Sequence, residues 1–262
     1  MKNLKKVLAV ALALVMTFAL AACGGKDDTN TQKDDGAVKT VKEGTLVMAT
    51  SADFPPYEFM EGNEYKGIDV EIAGLVAEKL GLKLEIANVA FDSIVPGVQQ
   101  GKYDIGMAGM TVTEDRIEKV NFSSSYAKGV QVVLVPENSP IKTLDDLKDK
   151  KIGVQQGTTG DIYASDDFGK DAVVKYEVYG TAIQALKTNK VDCVILDNGP
   201  AKEFIKANEG LKMLDTAYAE EDYAIALSKE NDALKQAIND ALVELTADGS
   251  LKKVVDKYVK AD

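Results

Sequence analysis

The sequence predicts an α/β fold with largely parallel sheets, built as two similar lobes. From Leu46 onward, short runs typical of strands alternate with patterns typical of helices, an order that favours parallel sheets. Residues 90–109 and 178–197 also align without gaps at an offset of 88, and each holds a helix, a turn residue before Lys, an Asp two positions later and an apolar strand. Ligands of open α/β sheets bind beyond the carboxyl ends of strands. Two such ends facing each other would form a cleft between the lobes.

The first elements can be read in order along the chain. Residues 46–50 are a predicted strand, and residues 69–80 are a predicted helix because apolar side chains recur on one face. Asp69 is expected to cap the start of that helix. Residues 82–89 alternate apolar and polar side chains, as a half-buried strand does, and residues 92–101 are a second predicted helix.

The composition excludes several kinds of chemistry. The chain has 262 residues, of which 45% are hydrophobic and 28% charged, as is ordinary for a globular protein. It contains no histidine, which excludes a Ser-His-Asp triad, and its two cysteines, Cys23 and Cys193, are too few for a thiolate zinc site. The formal charge of −11 argues against nucleic-acid binding. We therefore expect no metal, no cofactor and no nucleic-acid partner.

Residues 1–22 have the features of a secretory signal peptide. Three lysines precede an apolar run of 16 residues, which is shorter than the roughly 20 residues that span a bilayer as a helix. The run ends in LAAC, which resembles the bacterial lipobox, where the cysteine is lipidated and becomes the first residue. The sequence thus predicts a lipoprotein signal at 1–22 and acylation, with palmitate for example, at Cys23. A plain signal peptide cut elsewhere is the alternative.

Residues 23–44 are predicted to be a flexible tether. Beyond Cys23 they contain few apolar side chains, so they cannot bury enough surface to fold. A thioether-linked diacylglycerol and an amide-linked acyl chain would supply the two hydrophobic anchors that stable membrane attachment requires. The folded domain is therefore expected to be lipid-anchored at the outer face of the cytoplasmic membrane, on the periplasmic side where there is one.

Polar groups gather where predicted strands end. Four such segments stand out: residues 51–59, 108–116, 153–161 and 197–200. Arg116 is a rigid bidentate partner for a carboxylate. The predicted helix start at Thr158 and Thr159 also favours an anion, whereas Asp197 would accept hydrogen bonds from an ammonium. An anion site beside a cation site suits the head group of an α-amino acid.

In combination, these segments resemble a known family. The run FPPYE, the motifs AGMTVTEDR and GVQQGTT, and the aspartate that ends VDCVILD are typical of the polar amino acid-binding components of ATP-driven bacterial importers. The resemblance covers the chain from about residue 45 to 262. It implies the two-lobed type II periplasmic-binding-protein fold with two hinge crossovers. Residues 45–130 and 224–262 would form the first lobe, and residues 131–223 the second.

The resemblance also implies roles for residues at matching positions. Arg116 and Thr159 would hold the ligand carboxylate. Asp197 would hold the ligand ammonium, helped by the carbonyl of Gly109 and the hydroxyl of Thr111. These contacts are divided between the two implied lobes, so closure of one lobe on the other would complete the site.

The side-chain end of the implied pocket is less defined. Phe54 and Phe91 would sandwich the ligand side chain. Relatives often carry an acidic residue or asparagine at the position of Ser51, and those specific for basic amino acids or histidine often have Ser-Ser in place of Ala108-Gly109. The Ala-Gly pair and the polar Gln155 look more like glutamine- and arginine-type relatives. The expected ligand is a polar amino acid, with arginine, lysine or glutamine favoured.

Asp53 and Glu58 are acids of a predicted loop. Loop acids are ordinarily solvated, and either of these two is a candidate partner for a cationic ligand side chain.

The sequence predicts a monomeric receptor, not an enzyme, that delivers its amino acid to the permease and ATPase of an ABC importer. One alternative is a ligand-binding input to a sensor, which would require a partner protein. Another is a dehydratase on the same fold that acts on cyclic carboxylates. That chemistry needs an acid poised for proton transfer, and none is identifiable outside the head-group contacts.

Overall fold

The computed structural model describes residues 38–259. The predicted signal peptide, Cys23 and residues 24–37 of the predicted tether lie outside the described residues, as do residues 260–262. Within residues 38–259, none of the helices combines the length and the hydrophobicity that crossing a membrane requires.

Strands and helices alternate along most of this range. The strands are β1 (Thr45–Thr50), β2 (Asp53–Phe54), β3 (Glu58–Glu61), β4 (Glu64–Lys66), β5 (Lys83–Asn88), β6 (Ile105–Gly106), β7 (Asn121–Phe122), β8 (Ala127–Pro136), β9 (Ile152–Gln155), β10 (Val173–Tyr176), β11 (Cys193–Asp197), β12 (Leu211–Met213), β13 (Ala219–Tyr223) and β14 (Ala226–Leu227). The α-helices are α1 (Ile68–Lys79), α2 (Ile94–Gln99), α3 (Glu114–Ile117), α4 (Thr159–Phe168), α5 (Tyr179–Lys187), α6 (Asn198–Ala207), α7 (Asp232–Ala247) and α8 (Ser250–Tyr258).

The first sheet has five strands in the order β5-β1-β6-β14-β7. β1 runs parallel to β5 and β6, whereas β14 runs antiparallel to β6 and β7. Leu46 and Met48 of β1 pack in the apolar cluster that includes α1, while Val47 and Ala49 belong to a second cluster that includes α2. Helices therefore cover both faces of this strand, which explains why it is a continuous apolar run in the sequence. The predicted strand at 46–50 is confirmed.

The second sheet has the order β10-β9-β11-β8-β12, and β13 also pairs with β8. β9 runs parallel to β10 and β11, whereas β8 is antiparallel to β11, β12 and β13. Alternate residues of β11 again face different helices, since Ile195 packs with Ala164 of α4 and Val194 with Ile183 of α5. The prediction of parallel sheets holds for the βαβ units. The antiparallel strands lie where the chain enters and leaves this sheet.

The two sheets are joined by two connections that run side by side. The chain leaves the first sheet after β7 and enters the second at β8, and it returns between β13 and β14. Ser123 N–H donates to the Ile225 carbonyl at 2.9 Å, and Tyr126 N–H donates to the Tyr223 carbonyl at 3.0 Å. The two crossovers are therefore hydrogen-bonded to each other at the junction of the sheets.

The internal repeat found in the sequence is present in the structure. Gly101 and Asn189, the turn residues at equivalent positions, have φ values of 69° and 55°. Asp104 accepts a hydrogen bond from an N–H of β1 at 2.7 Å, and Asp192 accepts one from the N–H just before β9 at 2.8 Å. Each aspartate thus ties the turn after its helix to the neighbouring strand, so the two lobes are built alike.

Helix α1 does not begin as expected. It starts at Ile68 after Gly67, whose φ is 124°. Asp69 is fully buried, and its Oδ2 atom accepts hydrogen bonds from the Gly109 N–H and the Tyr126 hydroxyl, each at 2.8 Å. The predicted capping role of Asp69 is therefore wrong. The carboxylate instead connects the helix to the loop after β6 and to the first crossover.

The last residues of the predicted tether contact the first sheet and its helices. Val41 N–H donates to Asp104 Oδ1 at 2.7 Å, and the side-chain amide of Asn231 donates to the Lys39 carbonyl at 2.9 Å. Val38 packs against the main apolar cluster. The contacts of the folded domain therefore begin before residue 45.

Candidate functional site

One cavity lies between the two sheets, near the crossovers. All of the residues predicted to bind a ligand border it, namely Phe54, Phe91, Gly109, Thr111, Arg116, Gln155, Thr159 and Asp197. Its other lining residues are Ser51, Glu58, Ala108 and Thr158. The loops after β1, β6, β9 and β11 supply most of these side chains, so the cavity forms where the carboxyl ends of strands from the two sheets face each other.

Arg116 is the buried cation of this cavity. It lies in the single-turn helix α3, and its side chain donates to the carbonyl of Thr111 at 2.7 Å and to the carbonyl of Gly157, in the second lobe, at 3.1 Å. The guanidinium carbon is 5.3 Å from the ring centroid of Phe91. Burial lowers the pKa of Arg116 to about 10, an effect that nearby Glu221 opposes. The side chain is therefore charged at neutral pH, with N–H groups left for an anion.

The start of helix α4 faces the same space. Thr158 is the N-cap, and its hydroxyl accepts from the Asp161 N–H at 3.3 Å. Thr159 is the first helical residue and borders the cavity. Because the N-terminal N–H groups of a helix lack intrahelical partners and lie at the positive end of its dipole, they favour an anion. The predicted helix start at these two threonines is confirmed.

Asp197 is a buried acid that lines the cavity. It ends β11 and occupies the N-cap position of α6, yet its side chain makes no capping hydrogen bond. The carboxylate instead accepts from Gln131 Nε2 at 2.7 Å and from the Tyr223 hydroxyl. Burial, and after it the charge of Glu221, raises the pKa of Asp197 to about 7. A cation placed beside it would lower that pKa again.

Three residues behind the cavity were missed in the sequence. Gln131 on β8 donates to Asp197, to Glu221 Oε2 at 3.0 Å and to the Thr159 hydroxyl at 3.4 Å. Glu221 on β13 also accepts from the Thr111 hydroxyl at 3.0 Å. Tyr223, also on β13, completes the set. These side chains hold residues of both lobes in one hydrogen-bonded network.

The aromatic residues form apolar walls. Phe54 stacks on Tyr57 and, across the cleft, on Tyr179, with ring centroids 5.9 and 5.7 Å apart. Gly109 has a φ of 53°, and a Cβ atom there would lie 2.8 Å from Phe54 Cε1. Glycine is therefore needed at this position because both the backbone conformation and the adjacent ring exclude a side chain.

Gln155, Ser51 and Glu58 add polar groups to the lining of the cavity. Gln155 Nε2 donates to the Glu177 carbonyl at 2.9 Å, and the Ser51 hydroxyl donates to Asp53 Oδ1 at 3.0 Å. Glu58 is 1% exposed, and its carboxyl group lies beside the buried carboxyl group of Asp69. Burial and the nearby Asp69 raise the pKa of Glu58 well above its ordinary value. A protonated Glu58 shares a hydrogen bond with the carboxylate of Asp69.

No metal site accompanies these residues. Within the described range, no group of three His, Cys, Asp or Glu side chains could hold a metal ion. Cys193 lies in β11 and is buried, and burial raises the pKa of its thiol to about 12. This environment suits an inert structural cysteine.

Comparison with known proteins places these features in a family. A model of the family described as "Bacterial extracellular solute-binding proteins, family 3" matches residues 46–261. The match thus spans nearly all of the described range, including every residue that borders the cavity.

Individual relatives are similar over most of their length. A probable histidine-binding protein of Neisseria gonorrhoeae is 33% identical over 264 residues, which cover 98% of this chain and 96% of that protein. The arginine-binding extracellular protein of Bacillus subtilis (strain 168) is 32% identical over 265 residues, covering 97% and 98%. Among solved structures, an ancestral arginine-binding protein bound to glutamine is 38% identical, with a TM-score of 0.80 and coverage of 84% of this chain and 100% of that one.

Proposed function

The chain belongs to the bacterial extracellular solute-binding proteins of family 3 and has their two-lobed fold, and from this premise we propose that it binds a free polar amino acid between its lobes and delivers it to an ABC importer. Its relatives are named as amino acid-binding proteins, one of them as an ABC transporter arginine-binding protein of Escherichia coli (strain K12), so it is a solute-binding protein and not an enzyme. The observation that carries the proposal is the convergence of Arg116 and Asp197 on one cavity.

The carboxylate end of the ligand belongs beside Arg116. The hydrogen bonds that hold this side chain go to carbonyl oxygens, so they orient the guanidinium without neutralising its charge. Thr159 at the start of α4 adds backbone N–H groups of the opposite lobe. A carboxylate between them would be bound from both sides by charge-assisted hydrogen bonds, which are about twice as strong as neutral ones.

The ammonium end belongs beside Asp197. Gln131 and Tyr223 orient this carboxylate, and Gly109 and Thr111, whose carbonyl and hydroxyl oxygens are further acceptors, also line the cavity. An ammonium offers three donors to these acceptors. Its positive charge would also compensate for the burial of the Asp197 carboxylate. Burial is the main cause of the raised pKa of Asp197.

The side-chain end favours a ligand that donates hydrogen bonds. Phe54 and Phe91 provide apolar walls for the aliphatic part, and Ser51 and Gln155 add polar groups. A ligand side chain with N–H groups would find a buried acceptor in the carboxyl group of Glu58, which lines the same cavity. Arginine, lysine and glutamine fit this description. The names of the relatives, which include arginine-binding proteins and one bound to glutamine, point to the same group.

The division into lobes follows the sheets. We assign residues 45–130 and 224–262 to the first lobe and residues 131–223 to the second. In support, β14 returns to the first sheet after the crossover, and β9 to β13 all belong to the second. β8 begins at Ala127 and so spans the assigned boundary.

The attachment of the protein follows from its N-terminal sequence. We propose that residues 1–22 are removed as a lipoprotein signal and that lipid on Cys23 anchors the monomeric protein outside the cytoplasmic membrane. The LAAC motif and the polar composition of residues 24–37 support this assignment. Such an anchor would keep the binding domain close to the importer.

A thermal-shift screen of the 20 amino acids with ornithine and cystine tests the proposed ligand. A ligand at 100 times its Kd adds about 2.7 kcal/mol to the free energy of unfolding. We expect arginine, lysine or glutamine to raise the melting temperature most, and Arg116→Ala to abolish each increase. An absence of any increase, or an increase with acidic amino acids alone, would contradict the assignment.

A further inference from the structure

Helix α5 of the second lobe begins without a cap of its own. Its N-cap residue is Val178, which has an extended backbone and a hydrocarbon side chain, and no side chain caps the helix from that position. The first N–H groups of any helix have no intrahelical partner. Serine, threonine, aspartate or asparagine ordinarily fills this role, and valine cannot.

A carboxylate from the other lobe supplies the missing partner. Asp53 lies on β2, 126 residues before the helix, and its Oδ2 atom accepts from the Tyr179 N–H at 2.9 Å. Its other oxygen accepts from the Ser51 hydroxyl at 3.0 Å and from Gln155 Nε2 at 3.4 Å. Asp53 therefore bonds to the second lobe through both oxygens. It also places a negative charge at the positive end of the α5 dipole, which is favourable.

Phe54, the residue after Asp53, also contacts Tyr179. The ring of Phe54 stacks on the ring of Tyr179, with centroids 5.7 Å apart. The first residue of α5 is thus held through its backbone by Asp53 and through its side chain by Phe54. Phe54 borders the ligand cavity, whereas Asp53 does not and instead borders the neighbouring groove with Glu177 and Val178.

We propose that Asp53 is a closure residue, which raises the affinity for the amino acid by capping helix α5 across the cleft without touching the ligand. This inference rests on the proposed function of the site. When the lobes separate, the Asp53 carboxylate and the Tyr179 N–H both return to water, so the cap exists only in the closed state. An interaction made only in one state shifts the equilibrium toward that state. Ligand affinity rises with the population of the closed form.

The proposal predicts a specific pattern of binding constants. Removing a cap usually costs about 0.5–2 kcal/mol, which corresponds to a roughly 2- to 30-fold weaker Kd for Asp53→Ala. Because Asp53 does not border the ligand cavity, the same factor should apply to every amino acid that the wild-type protein binds. The loss should appear as faster dissociation, since closure follows encounter with the open form. Asp53→Asn keeps an acceptor oxygen and should show a smaller loss.

The test is surface plasmon resonance and thermal unfolding of full-length wild type, Asp53→Ala, Asp53→Asn and a matched control, Asp240→Ala. Asp240 lies on α7 of the first lobe, is exposed and bonds only locally to Gln236, so the control makes the same charge change away from the cleft. We expect the control to match wild type in Kd. We also expect the melting temperature of ligand-free Asp53→Ala to match that of ligand-free wild type.

The outcomes separate the two claims. If wild type bound no amino acid, the proposed function and the role of Asp53 would both fall. If wild type bound but Asp53→Ala had the same Kd and dissociation rate, only the closure role would be overturned. A loss confined to one amino acid would make Asp53 a determinant of ligand specificity instead. A lower melting temperature of the ligand-free variant would make it a general structural residue.

Discussion

At the scale of single residues, the cavity places the buried cation Arg116 near the buried acid Asp197 and, behind it, Glu221. Arg116 is fixed by carbonyl oxygens, while Asp197 and Glu221 share hydrogen bonds from Gln131. Asp197 and Glu221 outnumber the single cation Arg116, so an excess of negative charge surrounds Asp197. An ammonium would offset this excess. The carbonyl-held guanidinium in turn needs an anion as its partner. The zwitterionic head group of an amino acid supplies both charges.

Arg116→Ala should abolish binding without unfolding the domain. The ligand carboxylate would then be desolvated without a charged partner, and truncating one member of such a pair costs about 2–5 kcal/mol. Micromolar binding would become millimolar or undetectable by isothermal titration calorimetry. Arg116→Lys should retain part of the affinity, since it keeps the charge but loses the bidentate geometry. Less than a threefold loss in Arg116→Ala would remove this residue from the site.

Binding should weaken as the pH falls below neutrality. Burial raises the pKa of Asp197 to about 7, and only the ionised carboxylate pairs with an ammonium. Affinity should therefore rise with pH up to about 7 and then level off, with proton release on binding below that value.

The stability of the ligand-free protein should depend on pH in the opposite sense. A carboxyl whose pKa is raised on folding contributes stability that is fully present below about pH 4 and is lost as the pH rises to about 7.

Calorimetry between about pH 5.5 and 8, in buffers of different ionisation enthalpy, measures this linkage. Asp197→Asn is the matched variant, because it keeps the shape of the side chain but cannot titrate. We expect Asp197→Asn to lose amino acid binding. We also expect its free energy of unfolding to depend less on pH than that of the wild type. An affinity independent of pH, with the same heat in every buffer, would show that Asp197 does not pair with the ligand.

At the scale of elements, the sequence was informative wherever a motif lay in one continuous segment. The strand at 46–50, the start of α4 and the equivalent turns at Gly101 and Asn189 all followed from local patterns. Asp69 was misassigned because an acid near a helix start looks the same in sequence whether it caps the helix or is buried. Only the fold brings it to Gly109, 40 residues away.

The network behind the cavity could not be predicted for the same reason. Glu221 bonds to Thr111 across 110 residues, and Tyr223 bonds to Asp197 across 26. Both lie on β13, a strand of mostly acidic residues in which buried and exposed side chains alternate. Their position depends on the crossover that pairs β13 with β8, and no local pattern specifies that pairing.

Two glycines should respond oppositely to alanine. In Gly129→Ala, a Cβ atom would lie 2.2 Å from the Tyr223 hydroxyl oxygen, so the ring must move away from Asp197. We expect lower thermal stability and weaker ligand binding. In Gly74→Ala, within helix α1, the new Cβ would meet nothing within 4 Å, and the free energy of unfolding should rise by about 0.5–1 kcal/mol. Equal melting temperatures for both variants would contradict this account of the β8–β13 contact.

At the scale of the whole molecule, the proposed function depends on two lobes that each supply part of the cavity lining. The lobes contact each other through Asp53 and Tyr179 at one edge of the cleft and through Gln156 and Asp92, at 2.6 Å, at another. Separation of the lobes would break these bonds. Under the proposed function, ligand binding and closure are therefore coupled, and the closed form is a state that a permease could recognise as loaded.

The proposed anchor has its own test. Cys23→Ala should prevent incorporation of labelled fatty acid and leave the protein soluble or as an uncleaved precursor. Amino acid affinity should remain that of wild type, because all of the proposed ligand contacts lie between residues 51 and 197. Continued fatty-acid labelling of Cys23→Ala, measured by radiolabelling in cells, would place the modification elsewhere.

The most direct test of the central claim is small-angle scattering with a tight amino acid ligand and its two half-charged analogues. One analogue is the amine without the carboxylate, and the other is the acid without the ammonium. If Arg116 and Asp197 bind opposite charges of the ligand from different lobes, only the complete amino acid should reduce the radius of gyration. The radius of the Asp197→Ala variant should not decrease. An unchanged radius on saturation with the amino acid, or equal compaction by either analogue, would contradict the account.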